Sequence, residues 1–544
     1  MSLPICNFHF SLARVLAKIS ARFTAPNSFS RLLTAALRII VCVWLLILAI
    51  QVAWRCTFPW DLHFWAESPM MTDLLKLDSG KPVFGPPEDG NSFFYSPGLT
   101  YLTYAVMKPL GLHLDIRYCR LVVVAVGMFA GIFAGWAAQR AVNMIVPENH
   151  LRGFAWLGAG IGVLVVFRNF NADVPHPDNL VMFHTAGLLW MTLNALQRRS
   201  FAWAVGTMVF AALGVFAKQT LCIAFIGPAL IFLRFKTWGV RNGVILAVVG
   251  MLASGLALTV LWLPEFAKFY TWDVLTHHRV SPKRVYWFFV EFLHTERAAL
   301  PFLCVAALII LWNAGGASRQ YLQIWGAIGL CSVAPGALAF LKHFGTWNNL
   351  IIFSLWCFLL LWPAIGVWLS SLEQKFGAPV LAFDHWLAVT LVLFAILLLP
   401  TRFPPDDRML AACAEIQDSV TADIRAGRRI LVAHGTMYQL RAGSKEIPLD
   451  RVNSIVDLKA AGFSNRVRTV ERIRNHYYDR LYLVVEDWYD DEMRAAFKEY
   501  YQTDRIIPKP ASSDRSELGR FVPLIAECII MSPRTNTLST SIIR

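Results

Sequence analysis

Long apolar runs separated by short polar segments dominate the hydrophobic pattern of this chain. Most runs are close to the roughly 20 residues that a helix needs to cross an apolar bilayer core of about 30 Å. They predict about eleven spans, near residues 37–54, 118–139, 153–167, 178–197, 200–217, 219–234, 243–263, 298–314, 320–341, 347–370 and 384–400. We therefore expect a polytopic α-helical membrane protein.

The distribution of basic residues predicts the orientation. Basic residues without any acidic one precede or open the first run: Arg14, Lys18, Arg22, Arg31 and Arg38. By the positive-inside rule, residues 1–36 are cytoplasmic, and loops 55–117 and 264–297 are extracytoplasmic. For the loops to alternate between the two sides in this way, the stretch 97–112 must lie along the outer membrane surface and not cross the membrane. The first run has no small-residue cleavage site after it, so we expect an anchor and not a signal peptide.

Lys218 is the only formal charge between Phe201 and Leu233. One helix of that length would be about 50 Å long, more than a bilayer needs. We therefore expect a hairpin with Lys218 at its outer tip. A lysine near a span end often only anchors the helix by snorkelling, but here it lies between two spans, which favours an anion site.

The chain changes character after residue 400. Residues 401–544 are more charged, with strand-like apolar runs at 428–435 and 479–487 and an amphipathic helix predicted at 466–479. This pattern predicts a small extracytoplasmic α/β domain after the transmembrane module at 37–400. Cys413 and Cys528 would both lie in it and could pair in an oxidising compartment.

Composition and motifs narrow the function. Of the 544 residues, 56% are hydrophobic and 16% charged, outside the range of soluble globular proteins. We find no nucleotide-binding fingerprint and expect no nucleic-acid partner. A transporter or flippase would also have many spans, but no internal repeat is evident. A non-catalytic scaffold would not explain polar residues gathered on one predicted face.

Two carboxylates in the first outer loop are candidates for a general base. Asp61 and Glu67 lie close to the end of the first span, where a base could act on an extracytoplasmic substrate. The alternative is that they are solvated loop charges or helix caps. Asp178 opens the fourth span and either contributes to a site or favours the helix dipole there.

Cationic side chains on the other outward segments suit a lipid phosphate. The phosphate candidates besides Lys218 are His278, Arg279, Lys342 and His343, whereas the candidates for substrate binding are Tyr95, Asp178, Asn348 and Asn349. The lysines have the alternative role of interfacial anchors. The His-His-Arg spacing has no convincing metal-binding partner, and we predict no metal and no other cofactor.

The order of these segments resembles bacterial GT-C glycosyltransferases, the relatives of protein O-mannosyltransferases and lipid A aminoarabinose transferases. The matching stretches cover nearly the whole chain, in the order D-x5-E from Asp61 to Glu67, "LDSGKPVF", "YSPGLTYL", "GLHLDIRYCRL", "PHPDNL", "FAKQT" and "KHFGTWNN". The adjacent Asp-Glu of many relatives is split here by five residues, and only part of their Tyr-Pro-Pro motif remains, at Tyr95.

The resemblance implies a GT-C fold and an inverting sugar transfer from a polyprenyl-phosphate donor in the outer leaflet of a bacterial inner membrane. An acidic residue of the first outer loop would be the base, either Asp61 or Glu67. Lys218, with Arg279 or His278, would stabilise the leaving phosphate. The acceptor, a glycan, a lipid or a protein, is left open, as is the sugar.

Overall fold

The fold is that of a computed structural model, which describes residues 43, 46–62, 64–146, 154–168, 172–286, 299–342, 351–376, 407–433, 435–483, 489–508 and 527–534. Helices dominate as far as residue 376. In chain order they are α1 (Leu46–Thr57), α2 (Phe64–Asp78), α3 (Gly98–Met107), α4 (Ile116–Ile145), α5 (Phe154–Arg168), α6 (Asp178–Arg198), α7 (Phe201–Ala217), α8 (Ile226–Phe235), α9 (Gly239–Trp262), α10 (Val274–His277), α11 (Ala299–Asn313), α12 (Gly316–Ser332), α13 (Ala334–Phe340) and α14 (Ile351–Phe376).

These helices follow the predicted apolar runs closely. Within the described residues, three stretches are long and apolar enough to cross a membrane, namely α4, α9 and the segment Gly316–Phe340 that joins α12 and α13. Residues 1–36 and the run at 384–400 lie outside the described residues, so the number of about eleven spans stays a prediction. The stretch 97–112 contains the short helix α3, and its place at the membrane surface also stays a prediction.

Small residues bring α4 and α5 into close contact. A Cβ on Gly131 would lie 2.4 Å from the Val163 nitrogen, and one on Gly135 would lie 2.3 Å from the Ala159 nitrogen. Neither position has room for a side chain. Glycines spaced four residues apart let helix backbones approach in this way in membranes, where packing drives association in place of the hydrophobic effect.

The run from Phe201 to Leu233 breaks at Lys218, as predicted. Helix α7 ends at Ala217, and Lys218 itself is extended, with φ −160° and ψ 137°. A 3₁₀ turn, Gln219–Ile223, follows before α8 begins. Lys218 is nevertheless buried, at 4% exposure, so it does not reach freely into solvent.

Residues after 406 form a mixed sheet flanked by helices. Its strands are β1 (Ile430–Val432), β2 (Arg480–Leu483), β3 (Tyr501–Ile507) and β4 (Cys528–Pro533), in the order β1-β2-β4-β3. The pair β1–β2 is parallel and the other two pairs are antiparallel. The helices are α15 (Asp407–Arg425), α16 (Thr436–Arg441), α17 (Val452–Ala460), α18 (Thr469–Arg474) and α19 (Asp491–Tyr500).

The sequence predicted β1 and β2 but misjudged the segment between them. The expected helix at 466–479 is reduced to α18, because His476 takes a left-handed conformation at φ 49° and Tyr478 turns inward to donate to the Asp450 carboxylate. Cys413 and Cys528 share one apolar cluster but are free thiols and not a disulfide.

The sheet region packs directly onto the segment after α1, which belongs to the predicted first outer loop. Phe58, Trp60 and Leu62, which follow α1, lie in the same buried apolar cluster as Met409 and Ile416 of α15. The Trp60 indole also donates to Gln417 at 3.0 Å. These contacts fix the short segment that carries Asp61.

Candidate active site

Both carboxylate oxygens of Glu67 accept hydrogen bonds that hold the segment after α1. Arg120 of α4 donates to its Oε1 at 2.7 Å and to its Oε2 at 3.1 Å, and the Leu62 backbone N–H donates to Oε2 as well. Both side chains of this ion pair are 0% exposed. Arg120 also donates to the carbonyl oxygens of Phe58 and Trp60. One buried guanidinium therefore organises the chain on both sides of Asp61.

The two carboxylate oxygens of Asp61 differ in their hydrogen bonding. Its Oδ1 accepts a hydrogen bond from the Ser68 hydroxyl at 2.9 Å, whereas its buried Oδ2 has no hydrogen-bond partner in the described part of the chain. Burial, and next the charge of Glu67, raise the pKa of Asp61 to about 7, against the opposing effects of Ser68 and Arg451. A carboxylate with that pKa and a free oxygen is suited to accept a proton.

The sheet region contributes a second buried arginine beside this carboxylate. Arg451, just before α17, donates to the Ser68 carbonyl oxygen at 2.9 Å and to the hydroxyls of Thr72 and Thr436. The Thr436 backbone N–H donates to the Ser68 hydroxyl at 3.0 Å. Burial lowers the pKa of Arg451 to about 10, so it remains charged at neutral pH.

A second polar cluster forms around Lys218. Its ammonium nitrogen lies 3.4 Å from Asp178 Oδ1, and His176 Nδ1 lies 2.8 Å from Asp178 Oδ2. The Tyr95 ring lies under Lys218, with 5.1 Å between the ammonium nitrogen and the ring centroid, and it meets the His176 ring edge-on. Three residues singled out in the sequence, Tyr95, Asp178 and Lys218, are thus brought together.

Two sequence motifs lock this cluster to the first outer loop. The Gln219 side chain accepts from the Ser96 backbone N–H at 3.2 Å and donates to the Phe94 carbonyl at 2.9 Å. Gly98 presses against the end of α7, where an added Cβ would lie 2.2 Å from the Phe216 carbonyl oxygen. The "YSPG" and "FAKQT" stretches therefore form one structural unit.

Arg55 and its partners connect the two clusters. The Arg55 guanidinium donates to Asp173 at 2.5 Å, and both side chains are 0% exposed. Asp173 belongs to the loop that leads to His176 and Asp178, while the Arg55 carbonyl accepts from Arg120 at 3.1 Å. A continuous series of buried polar contacts thus runs from Glu67, beside Asp61, to the loop that carries Asp178.

A small pocket adjoins the Lys218 ammonium. It is lined by Asp178, Val181, Lys218, Thr220, Ser332, Gly336 and Ile352, from four parts of the helical region. The Ser332 hydroxyl is buried and has no hydrogen-bond partner within the described chain. A hydroxyl donor and an ammonium facing one pocket form a suitable cradle for an anionic oxygen.

The remaining predicted cations have other contacts. His278 Nε2 lies 3.2 Å from the Asp457 carbonyl oxygen, and Lys342 donates to the Leu275 carbonyl at 2.5 Å. Arg279 is exposed. His343, Asn348 and Asn349 lie outside the described residues. No three His, Cys, Asp or Glu side chains are grouped to hold a metal within the described ranges, and metal independence stays a prediction.

Sequence reasoning missed Arg120 and Arg451. Arg120 carried a usable signal, because a charge inside a predicted span is costly and tends to have a role. Arg451 lies 383 residues from its partner Ser68. Nothing in its local sequence indicates that contact.

Comparison of whole chains places this geometry in a known fold. The sequence matches no protein-family model and no curated protein sequence. The structure is similar to ArnT from Cupriavidus metallidurans bound to undecaprenyl phosphate, with a TM-score of 0.52 and 13% identity over 92% of this chain and 98% of that one. For apo ArnT from the same organism the TM-score is 0.49 and the identity 14%, with the same coverage of both chains. For the apo oligosaccharyltransferase of Archaeoglobus fulgidus the TM-score is 0.47 and the identity 13%, over 85% of this chain and 73% of that one.

The match to lipid-bound ArnT confirms the fold that the order of motifs implied. It spans nearly the full length of both chains. This chain shares the fold of ArnT.

Proposed function

We propose that this protein is a membrane glycosyltransferase that moves a sugar from a polyprenyl-phosphate donor to an extracytoplasmic acceptor with inversion. The observation that carries the proposal is the Asp61 carboxylate, buried and held by Ser68, with its Oδ2 lacking a partner within the described chain. The fold supports the choice of donor, since the ArnT with which it is shared has been seen bound to undecaprenyl phosphate.

In this mechanism Asp61 is the general base. Its Oδ2 takes the proton of the acceptor hydroxyl while that oxygen attacks the anomeric carbon of the donor sugar. The bond from the anomeric carbon to the phosphate oxygen breaks, and its electron pair leaves with the lipid phosphate. Glu67 is the weaker candidate, because both of its oxygens already accept hydrogen bonds from Arg120 or Leu62.

Lys218 stabilises the leaving phosphate. An ammonium has three N–H donors, so the contact with Asp178 orients Lys218 without excluding a phosphate oxygen. The Ser332 hydroxyl supplies another donor to the same pocket. Fixed donors aimed at a developing negative charge are a large source of rate enhancement.

The proposal includes an orientation. The protein would lie in a bacterial inner membrane, with Asp61, Lys218 and residues 401–544 on the periplasmic side. The basic N-terminal segment and the short basic loops support it through the positive-inside rule.

Lipid profiling of cells with and without this gene tests the function. Loss of the gene should cause one polyprenyl-phosphate sugar to accumulate and the matching sugar to disappear from a surface polymer or lipid. Re-expression of the unaltered chain should reverse both changes, and Asp61→Asn should not. An unchanged profile in cells known to express the protein would overturn the proposal and favour transport.

A further inference from the structure

A second, larger pocket separates the first outer loop from the sheet region. It has a volume of about 590 Å³. One wall comes from residues 76–91, after the middle of α2, and the other from residues 429–449 and 477–478. None of the residues in the mechanism above lines it.

Two buried amide side chains line this pocket. Asn91 and Gln439 are 3% and 6% exposed. Neither Asn91 Oδ1 nor Gln439 Oε1 has a hydrogen-bond partner within the described residues. A buried acceptor without a donor is costly, so such atoms usually mark the place of a water or a ligand. Hydroxyl groups would supply the missing donors.

The charged side chains of the lining are mainly basic. Lys76, Lys81, Arg429 and Lys445 face two acidic residues, Asp89 and Glu446. Asp89 is offset by Arg472 at 3.8 Å, and Arg429 by Asp479 at the same distance. Lys76 lies 3.7 Å from the Asp73 carboxylate. Lys81 and Lys445 therefore outweigh Glu446, and the pocket favours an anion.

An aromatic face completes the lining. The Arg429 guanidinium lies 4.8 Å from the centre of the Tyr477 ring, and Tyr477 remains 36% exposed. An exposed aromatic ring beside hydrogen-bonding groups offers an apolar surface for the C–H face of a sugar ring. Lys76 forms the floor and is held by the carbonyl oxygens of Val83 and Asn91 at 2.8 and 3.0 Å.

The pocket is joined to Asp61 through two helices. Helix α16 carries Gln439 and begins at Thr436, whose N–H donates to the Ser68 hydroxyl that in turn donates to Asp61. Helix α2 carries both Ser68 and Lys76, whose separation of eight residues is about 12 Å along the axis. A ligand longer than one sugar ring could reach from the pocket toward Asp61.

We propose that this pocket binds an anionic, hydroxyl-rich saccharide, the distal part of the acceptor glycan. The amides of Asn91 and Gln439 accept from its hydroxyls, Tyr477 contacts a ring face, and Lys81 and Lys445 neutralise its phosphate or carboxylate. The assignment to the acceptor rests on the proposed transferase function, whereas the binding itself does not.

Direct binding to the full-length protein in lipid nanodiscs tests the proposal. The affinity for trigalacturonate is compared with that for neutral maltotriose. The affinity for glucose 6-phosphate is compared with those for glucose and for inorganic phosphate. We expect at least one anionic sugar to bind tenfold or more tightly than its neutral counterpart and than inorganic phosphate. Tighter binding of trigalacturonate would identify a carboxylate, and tighter binding of glucose 6-phosphate a phosphate.

Matched variants locate the site. Lys445→Ala and Gln439→Leu should each weaken binding of the preferred probe tenfold or more, whereas Lys498→Ala, an exposed lysine of α19 that does not line the pocket, should not. Gly85→Leu should block the pocket, because Gly85 lines it and the added side chain would occupy part of its volume. The backbone should tolerate the change, since a Cβ at Gly85 would lie 3.5 Å from Asn91 Oδ1, which is an ordinary contact. Equal binding of neutral and anionic probes, or binding unchanged in these variants, would overturn the proposal.

The binding measurement is separable from transfer. Asp61→Asn should bind the preferred probe as the unaltered protein does. Binding without any transfer activity in the unaltered protein would overturn the proposed transferase function but not the proposed binding site. Transfer without binding would overturn the proposed binding site alone.

Discussion

Arg451 donates a hydrogen bond to the carbonyl oxygen of Ser68 at 2.9 Å, although 383 residues separate them. Ser68 is the residue whose hydroxyl holds Asp61. The sheet region therefore supports the first outer loop from within and does not merely follow the helical region along the chain. Removal of that region would be expected to release the candidate base.

Asp61→Asn should abolish most transfer while preserving the fold. Loss of a positioned general base typically costs about 10²- to 10⁴-fold in rate. The measurement is release of polyprenyl phosphate by purified protein in nanodiscs. Asp78→Asn changes an exposed carboxyl at the end of α2 that pairs with Lys108, and this matched control should keep full activity. Comparable losses in both variants would argue against Asp61 as the base.

Transfer should increase with pH, with an acid limb near pH 7. The pKa of Asp61 is raised to about 7, and only the ionised carboxylate accepts a proton. The linked stability effect has the opposite sign, because a raised pKa means that the folded state binds the proton more tightly than the unfolded state. Ionised Asp61 thus destabilises the protein above pH 7, and this effect fades as the pH falls toward 4. Asp61→Asn should raise the Tm at pH 8 by more than at pH 5.

Arg451→Met should move the acid limb to higher pH. The guanidinium charge lowers the pKa of Asp61, so its removal makes the carboxyl harder to ionise. The pH profile of kcat/KM measures the shift, which a purely structural role would not produce. Arg474→Met, at an exposed arginine of α18, should leave the limb in place. An unshifted limb in Arg451→Met would contradict the electrostatic contact.

Glu67→Gln and Arg120→Met should each destabilise the protein strongly. Removal of one partner of a buried ion pair costs about 3–5 kcal/mol, because the other charge is left without compensation. Replacement of both partners by apolar residues should cost less than the sum of the single changes. Thermal unfolding of the detergent-solubilised protein measures all three variants. Normal stability but lost activity in Glu67→Gln would return Glu67 to the list of candidate bases.

Lys218→Met should lower transfer at least tenfold, and Lys218→Arg should restore part of it. The charge would stabilise the leaving phosphate, and arginine keeps that charge. Steady-state kinetics with a polyprenyl-phosphate sugar would measure both variants, with Lys236→Met as a control at the exposed end of α8. Full activity in a folded Lys218→Met protein would exclude the phosphate role.

The sequence predicted those features that depend on local pattern. The apolar runs predicted the helices, and the single charge between Phe201 and Leu233 predicted the break at Lys218. The ordered motifs singled out Tyr95, Asp178 and Lys218 as candidate site residues, and the three lie together in the structure.

Features that depend on distant partners could not be predicted in the same way. Glu67 is a weaker candidate base than Asp61 because it pairs with Arg120. That arginine lies 53 residues from Glu67 and 60 residues from Trp60 in the chain. The sequence predicted only two of the four strands of the sheet, because β3 and β4 gain their place by pairing with strands that are distant in the chain. Arg451 has no sequence feature that distinguishes it from the many exposed arginines of the same region.

The contact of Gly98 with the Phe216 carbonyl oxygen has a consequence for how this gene tolerates change. Even a methyl group would overlap that oxygen at 2.2 Å, so every other amino acid must push the first outer loop away from Lys218. In a saturation library selected for function, position 98 should accept glycine alone. A residue without a side chain would then be as intolerant of substitution as the charged residues it holds in place.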